Sequence, residues 1–241
     1  MIDVNVSIGD WPFKDNLKKS PAAIQSKLDK LGISQAWVRS SNAAWLVDPV
    51  NDNAKLLKKV SPFNRQTAVQ TINPRLSNWK SQISFEGYKV FNIYPSYHCY
   101  DLNSKTTEEL AIKLSDNNKI LLITIRMEDS RGMHPDCIIP DVPAETIVDF
   151  ARKNSKLKII CLNSTFAEIK FLTVSASNIH CDIAYAEFGD TLKNILNMEV
   201  NYKQILFGSH YPFFYTEAAV YKVQYANVRS HIKDSILFQN I

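Results

Sequence analysis

The chain has 241 residues, of which 45% are hydrophobic and 22% charged, and its formal net charge is +4. This apolar content is too high, and the charge too small, for a disordered chain. The Lys and Arg residues are scattered, which argues against a nucleic-acid-binding protein. The six glycines form neither a GxGxxG nor a GxxxxGKS/T pattern, so a Gly-rich phosphate loop is not indicated.

The four cysteines are typical of a reduced compartment. Cys99, Cys137, Cys161 and Cys181 form no CxxC pair and no zinc-site spacing. The N-terminal segment lacks a basic region followed by a long apolar stretch, and no run of 18 apolar residues occurs. We therefore expect a cytoplasmic protein with no membrane partner, folded as a single domain over residues 1–241.

Short β-rich runs recur along the chain and predict strands. Several of them are nearly continuous apolar segments, which is typical of parallel strands covered on both faces. In chain order the eight predicted strands are 2–8, 33–39, 67–72, 88–94, 120–127, 157–162, 178–184 and 204–207.

Helix signals fill the stretches between these runs. Ser20 and Pro21 suit a helix start and Gly32 suits its end. Eight strands that alternate with helices in a chain of this length predict a (β/α)8 TIM barrel, with an open doubly wound sheet as the alternative. Long irregular segments at 95–105 and 128–142 follow strands, on the face where barrels build their sites. The other predicted helices are 51–60, 74–85, 108–114, 143–154, 189–198 and 213–228.

Polar side chains stand at the predicted strand ends, which converge on one pocket in a barrel. Because side chains alternate along a strand, Asn5 and Ser7 are expected on one face of the first strand, and Thr124 and Arg126 on one face of the fifth. The remaining strand-end residues are Asn92, Asn163, Asp182 and His210, with Trp11, Tyr97 and His98 in the loops that follow.

Three segments resemble the amidohydrolase-related barrels, a superfamily of metal-dependent hydrolases and ring-acid decarboxylases. The opening IDVNVSIGDWPF resembles the family's D-x-H-x-H-x-G start, and ILFGSHYPFFY resembles its late motif LLFGSDYPF. Between them, GYKVFNIYPSYHCYDLN resembles the fourth-strand segment. The resemblance covers essentially the whole chain. It implies the TIM-barrel fold, a hydrolase or decarboxylase ancestry and, in the family, usually zinc.

The positions of the family's metal ligands carry other residues here. The first ligand pair falls on Asn5 and Ser7, and the family's late aspartate falls on His210. Amides and hydroxyls are poor zinc ligands, so only His210 is a competent one. We therefore expect a degenerate metal site and no cofactor. The other ligand positions, including that of a bridging lysine, fall on or near Asn92, Thr124 or Arg126, and Asn163.

These residues can be assigned roles in a rebuilt pocket. His210 is the candidate general acid or base, oriented by Asp182, and Arg126 is the candidate anchor for a carboxylate. Alternatively, Arg126 pairs only with Glu128, Asp129 or Asp182, His98 faces solvent, and the polar residues satisfy one another without a ligand. Candidate ligand-binding residues are Asn5, Ser7, Trp11, Asn92, Tyr97, His98, Thr124, Arg126 and Asn163.

Three functional hypotheses follow. The first is an amidohydrolase-like hydrolase, or a decarboxylase-like lyase, that acts on a small carboxylate, lactone or amide without a tightly bound metal. The alternative is a non-catalytic barrel that binds a small molecule. A third is a hydrolase with a metal held by His98, Asp182, Glu187 and His210. A small-molecule ligand is expected in each case, and the resemblance adds a possible homodimer.

Overall fold

The computed structural model describes residues 1–12, 14, 17 and 19–241, so Phe13 of the opening motif lies outside the described residues. In this part of the chain nine parallel strands form two hydrogen-bonded groups, β1-β2-β3 and β4 to β9. The predicted third strand is divided at Val69, whose N–H still donates to the Val38 carbonyl at 2.9 Å. The strands are β1 (Ile2–Ile8), β2 (Gln35–Ser40), β3 (Gln66–Ala68), β4 (Gln70–Thr71), β5 (Val90–Ile93), β6 (Ile120–Thr124), β7 (Lys158–Leu162), β8 (Ile179–Asp182) and β9 (Ile205–Leu206).

The sheet closes on itself where the segment after β9 meets β1. The Val4 N–H donates to the Phe207 carbonyl at 3.1 Å, and the Ser7 N–H donates to the Tyr211 carbonyl at 2.8 Å. Val6 and Tyr211 also form a parallel bridge. The prediction of a (β/α)8 barrel is therefore confirmed, and the open doubly wound alternative is wrong.

The helices lie between and after the strands, and some begin at a residue whose side chain caps the first turn. The Ser20 hydroxyl accepts from the Ala23 N–H at 3.2 Å, and Gly32 ends the same helix in the left-handed conformation. No helix of the described residues is long and apolar enough to cross a bilayer. The helices are α1 (Pro21–Leu31), α2 (Val50–Val60), α3 (Trp79–Gln82), α4 (Lys105–Asp116), α5 (Ala144–Lys153), α6 (Phe166–Ser175), α7 (Thr191–Leu196), α8 (Thr216–Gln224) and α9 (Ser230–Asp234).

Several helices differ from the sequence-based expectation: the predicted helix 74–85 forms only over α3, and α9 lies beyond the predicted helices. The predicted helix 213–228 forms only over α8, because the residues before it build the barrel mouth. Helix α6 was not predicted at all, since its apolar side chains surround the helix and leave no one-sided periodicity. The sequence signal for its start is Thr165 followed three residues later by Glu168, and the two residues form reciprocal capping bonds.

The barrel interior is built in three layers, which position the candidate site. An apolar floor includes Val4, Trp37 and Leu122. Above it lies a polar layer, and above that an aromatic cover with Met127 at its centre. We define the polar layer as Asn5, Arg39, Asn92, Thr124, Asn163, Asp182 and His210, all 5% exposed or less, and the aromatic cover as Trp11, Trp45, Tyr94, Tyr97, Met127 and Phe213.

Candidate functional site

Asp182 is the centre of the polar layer. The Asn5 side-chain amide donates to Asp182 Oδ2 and, at 2.6 Å, to Asn163 Oδ1. The Asn163 backbone N–H donates to Asp182 Oδ1 at 3.0 Å, and Asn163 holds a left-handed φ of 64°. Burial raises the pKa of Asp182 to about 6, although these hydrogen bonds oppose the shift. The structure therefore brings these three predicted residues together, with the carboxylate already hydrogen-bonded within the chain.

A β-bulge in β1 places Asn5 in this layer. The pairing of β1 with β2 shifts between Asp3 and Val6, and Val4 and Asn5 both contact the interior. Asp3 is buried beside the bulge and accepts from the backbone N–H groups of Asn5, at 3.1 Å, and Ser209, at 3.0 Å. Burial raises the pKa of Asp3 to about 7. Sequence reasoning missed Asp3, although it is the first residue of the D-x-N-x-S pattern.

Arg39 is the second residue that sequence reasoning missed. It lies at the end of β2, is 1% exposed, and donates from Nη1 to Asn5 Oδ1 at 2.6 Å. Its Nη2 contacts the Met127 sulfur at 3.6 Å. An arginine directly after the apolar residues Ala36, Trp37 and Val38 was the available signal. A buried positive charge therefore lies next to the amide that binds Asp182.

His210 lies at the top of the polar layer, in a left-handed conformation with φ of 54°. Its Nε2 is 2.8 Å from the Met127 carbonyl, so that nitrogen carries the proton and donates. Nδ1 has no hydrogen-bond partner among the described residues. Burial lowers the pKa of His210 to about 3, and the charge of Arg39 acts in the same direction. The imidazole is therefore neutral near pH 7, with an unshared Nδ1 lone pair.

The fifth-strand register is resolved by side-chain contacts. Thr124 faces the axis and donates from Oγ1 to Asn92 Oδ1 at 2.8 Å. Arg126 instead reaches α6, where it donates to both carboxylate oxygens of Glu168 at 2.5 and 2.7 Å, and it also contacts Asp141 at 2.8 Å. Arg126 therefore pairs with acidic residues, as one alternative of the sequence analysis expected. The partners are Glu168 and Asp141, and the expected partners Glu128, Asp129 and Asp182 are wrong. Its role as a substrate anchor stays a prediction, with its donors occupied by this ion pair.

Removing one charge of this ion pair should destabilise the fold. The Arg126 side chain is 6% and the Glu168 side chain 19% exposed, so the pair is poorly solvated. Burial would raise the pKa of Glu168, but hydrogen bonds from Arg126 and Thr165 hold it below its usual value. We expect Glu168→Gln to lower the free energy of unfolding by about 2 kcal/mol in urea denaturation. Glu145→Gln, in the first turn of α5 and exposed, is the control, and equal losses in both variants would contradict the prediction.

The remaining predicted residues belong to the rim and the cover. Ser7 Oγ donates to the Tyr211 carbonyl at 3.4 Å. Trp11 and Tyr97 pack edge to face at 5.8 Å within the aromatic cover. His98 is 6% exposed and its Nε2 contacts the Ala43 carbonyl at 2.9 Å, so the expectation of a solvent-facing His98 is wrong.

A cavity of about 470 Å³ opens above the aromatic cover, within the size range of small-molecule sites. His210 lies beneath this cavity, stacked on the lining residue Phe213 with ring centroids 4.6 Å apart. None of the eleven predicted site residues lines this cavity, although the predicted functional loop 128–142 contributes to it. We name it the mouth pocket, lined by Lys14, Met127, Glu128, Asp129, Arg131, Gly132, Thr165, Tyr185, Glu187, Phe213 and Phe214.

Comparison with known proteins identifies the fold. No protein-family model and no curated protein matches the chain. Among solved structures, a dihydroxybenzoic acid decarboxylase from Polaromonas superposes with a TM-score of 0.77 at 12% identity, over 99% of this chain and 94% of that one. A 5-carboxyvanillate decarboxylase from Novosphingobium aromaticivorans gives 0.76 at 11% identity, over 99% and 94%. A structure described as amidohydrolase II gives 0.73 at 12%, over 99% and 97%.

These structures define the class of fold. The chain is a TIM barrel of the type found in amidohydrolase-superfamily decarboxylases and hydrolases, which confirms at the level of fold the resemblance read from its motifs. At these identities the likeness shows the fold alone, and the activities belong to the neighbours.

The prediction of no cofactor is contradicted by this comparison. The Polaromonas and Novosphingobium structures both contain bound manganese, where the resemblance implied zinc. The donors of this chain do not fit that metal as they are arranged. No group of three or more His, Cys, Asp or Glu in the described part of the chain could hold an ion, and His98, Asp182, Glu187 and His210 are not brought together as one. The side-chain oxygen Oδ1 of Asn5 also already accepts a hydrogen bond from Arg39.

Proposed function

We propose that this chain binds a small aromatic carboxylate in the mouth pocket, and that the polar layer is the framework that holds the pocket in shape. The proposal takes up the small-molecule-binding alternative of the sequence analysis. The structural neighbours support the ligand class, since one holds 2,6-dihydroxybenzoate and another a nitrobenzoic acid derivative.

The observation that carries the framework role is the bonding within the polar layer. The carboxylate of Asp182 accepts from Asn5 and from the Asn163 backbone, and Thr124 bonds to Asn92. Groups that bond to one another in this way stabilise a fixed arrangement, because buried polar groups need partners. This bonding supports a structural role for the polar layer more directly than a role in proton transfer to a ligand.

The lining of the mouth pocket favours a flat ring with an acidic group. Tyr185, Phe213 and Phe214 supply aromatic surface, and a ligand ring can pack against it edge to face or offset. Lys14 and Arg131 bring cations to the same wall, and Thr165 brings a hydroxyl. Lys14 pairs with Glu128 and Arg131 with Asp129, and Glu187 adds a third carboxylate to the lining, so an anion is expected to bind by displacing a carboxylate from one of these cations.

Benzoate binding measured by isothermal titration calorimetry tests this function. Phe214→Ala removes a wall of the mouth pocket and should raise the dissociation constant about tenfold, since a lost aromatic contact contributes on the order of 1.4 kcal/mol. Phe171→Ala, at a phenylalanine of α6 that is 42% exposed, is the matched control and should bind as wild type does. Absence of benzoate binding by the wild type, or equal binding by all three proteins, contradicts the proposal.

A second candidate function is favoured by one observation. The unpartnered Nδ1 of His210 lies beneath the mouth pocket and could accept a proton from a substrate or water. The chain would then be a hydrolase or decarboxylase-like lyase for a small carboxylate, lactone or amide, with His210 as the general base. Turnover of such compounds by the wild type, abolished in His210→Gln while benzoate binding remains, would establish this function. Turnover that persists in the variant would exclude it.

A further inference from the structure

The guanidinium of Arg39 has fewer partners than a buried cation requires. A guanidinium carries five N–H donors, yet the only oxygen acceptor recorded for it by hydrogen-bond geometry is Asn5 Oδ1 at 2.6 Å. Nη2 meets a thioether sulfur, which is a weak acceptor, and Nε has no partner within the described residues. Among the described residues Arg39 forms no direct ion pair, and the carboxylate of Asp182 acts on its charge only across the side-chain amide of Asn5. Such a charge costs several kcal/mol to bury unless an anion joins it.

A second buried donor, Asn92, lies beside the same tyrosine hydroxyl as Arg39. Its Nδ2 has no acceptor at hydrogen-bond geometry in the described structure, although the residue is 0% exposed. Burial raises the pKa of Tyr94, whose hydroxyl donates to the Ser40 carbonyl at 3.1 Å, and Arg39 and Asn92 both oppose that rise. Two donors with unused N–H groups beside one hydroxyl form a concentration of positive potential, which is the chemistry that recognises a carboxylate.

The side chain of Met127 connects Arg39 with the mouth pocket. Its sulfur contacts Arg39 Nη2, and Met127 also lines the pocket. The backbone of this residue is held, because its carbonyl accepts from His210 at 2.8 Å and from the Tyr185 hydroxyl at 3.3 Å. The unbranched side chain retains three rotatable bonds and can turn while the backbone stays in place.

We propose that Arg39 is the anchor for the carboxylate group of the bound ligand, with Asn92 as a second donor, and that the Met127 side chain is the gate that uncovers it. This inference rests on the proposed function, because the ligand enters through the mouth pocket. The ligand class it specifies is an aromatic acid whose carboxylate extends below the ring into the polar layer, and an uncharged isostere should bind more weakly.

The charge preference of the site tests the anchor. Calorimetry with benzoate and with benzamide should show wild type binding benzoate about tenfold more tightly. Arg39→Gln should reduce this ratio to about one by weakening benzoate, with benzamide unchanged. A ratio that persists in Arg39→Gln, or a wild type without preference, overturns the anchor while leaving the mouth pocket as a binding site. A wild type that binds neither compound overturns the proposed function itself.

The gate is tested by association rates, and this test does not depend on whether Arg39→Gln folds. Met127→Ala should raise the stopped-flow association rate of benzoate about fivefold, because the carboxylate then reaches Arg39 without a side-chain rotation. Met133→Ala, in the same loop and without a recorded contact to Arg39, is the matched control and should leave the rate unchanged. Equal rates in wild type and Met127→Ala overturn the gate.

Discussion

Replacing Gly208 by alanine is expected to lower the free energy of unfolding by about 3 kcal/mol, because the added methyl has no space. A Cβ at this position would lie 2.7 Å from Asp182 Oδ2, 2.8 Å from Asp182 Cβ and 3.0 Å from Asn5 Cβ. Neither neighbour can move freely, since Asn5 and Asp182 are hydrogen-bonded to each other and to Asn163. The close approach of Gly208 is thus part of what sets the geometry of the polar layer.

Thermal and urea denaturation of Gly208→Ala measure this effect. For a chain of this size about 3 kcal/mol corresponds to a fall of roughly 6–12 °C in Tm. Gly132→Ala is the matched control, because a Cβ there meets no atom within 4 Å. If the two variants were equally stable, the polar layer would be looser than the structure indicates.

The buried carboxyls of Asp3 and Asp182 are expected to make folding less favourable as the pH rises from about 4 to about 7. Burial raises the pKa of Asp3 to about 7 and that of Asp182 to about 6, both from 3.8, and hydrogen-bond donors only partly offset burial. In this pH range the unfolded chain has released protons from these two groups that the folded chain still holds, so their titration favours unfolding. The buried imidazoles of His180 and His210, whose pKa values are lowered to about 4 and about 3, act in the opposite direction over the same range, so the effect of the carboxyls is read from the difference between wild type and a variant.

Urea denaturation between pH 4.5 and 8 measures this contribution. Asp3→Asn keeps an acceptor oxygen for the N–H groups of Asn5 and Ser209 but removes the ionisable group, so its free energy of unfolding relative to wild type should rise by about 3 kcal/mol between pH 4.5 and 7. Asp116→Asn, at an exposed position, should follow the wild-type profile. A difference between Asp3→Asn and wild type that does not change with pH would contradict the assignment of Asp3 as a carboxyl that burial keeps protonated.

The fold could be predicted from the sequence because its strands are covered on both sides. Runs such as 120–127 are apolar enough to mark strands without any partner being known. Helix α6 escaped detection because its apolar residues surround the helix, and only the Thr165 cap marks it. The bulge in β1 escaped because a shift of pairing leaves no trace in a simple alternation of residues.

The candidate site could be predicted only in part. Asn5, Asn163 and Asp182 were found because they stand at strand ends, which meet in any barrel. Arg39 and Asp3 were missed because their importance depends on which side chains surround them after folding. The mouth pocket was missed because it is formed by loop side chains from several strand ends, and their approach cannot be inferred from any one segment.

Soaking crystals with 4-iodobenzoate and locating the iodine by anomalous scattering tests the central claim most directly. The account predicts one strong peak in the mouth pocket, beside Phe213, Phe214 and Tyr185, with the carboxylate directed toward Met127 and Arg39. A peak confined to another surface, such as the groove beside Val220 and Phe238, or no bound ligand at all, would contradict it.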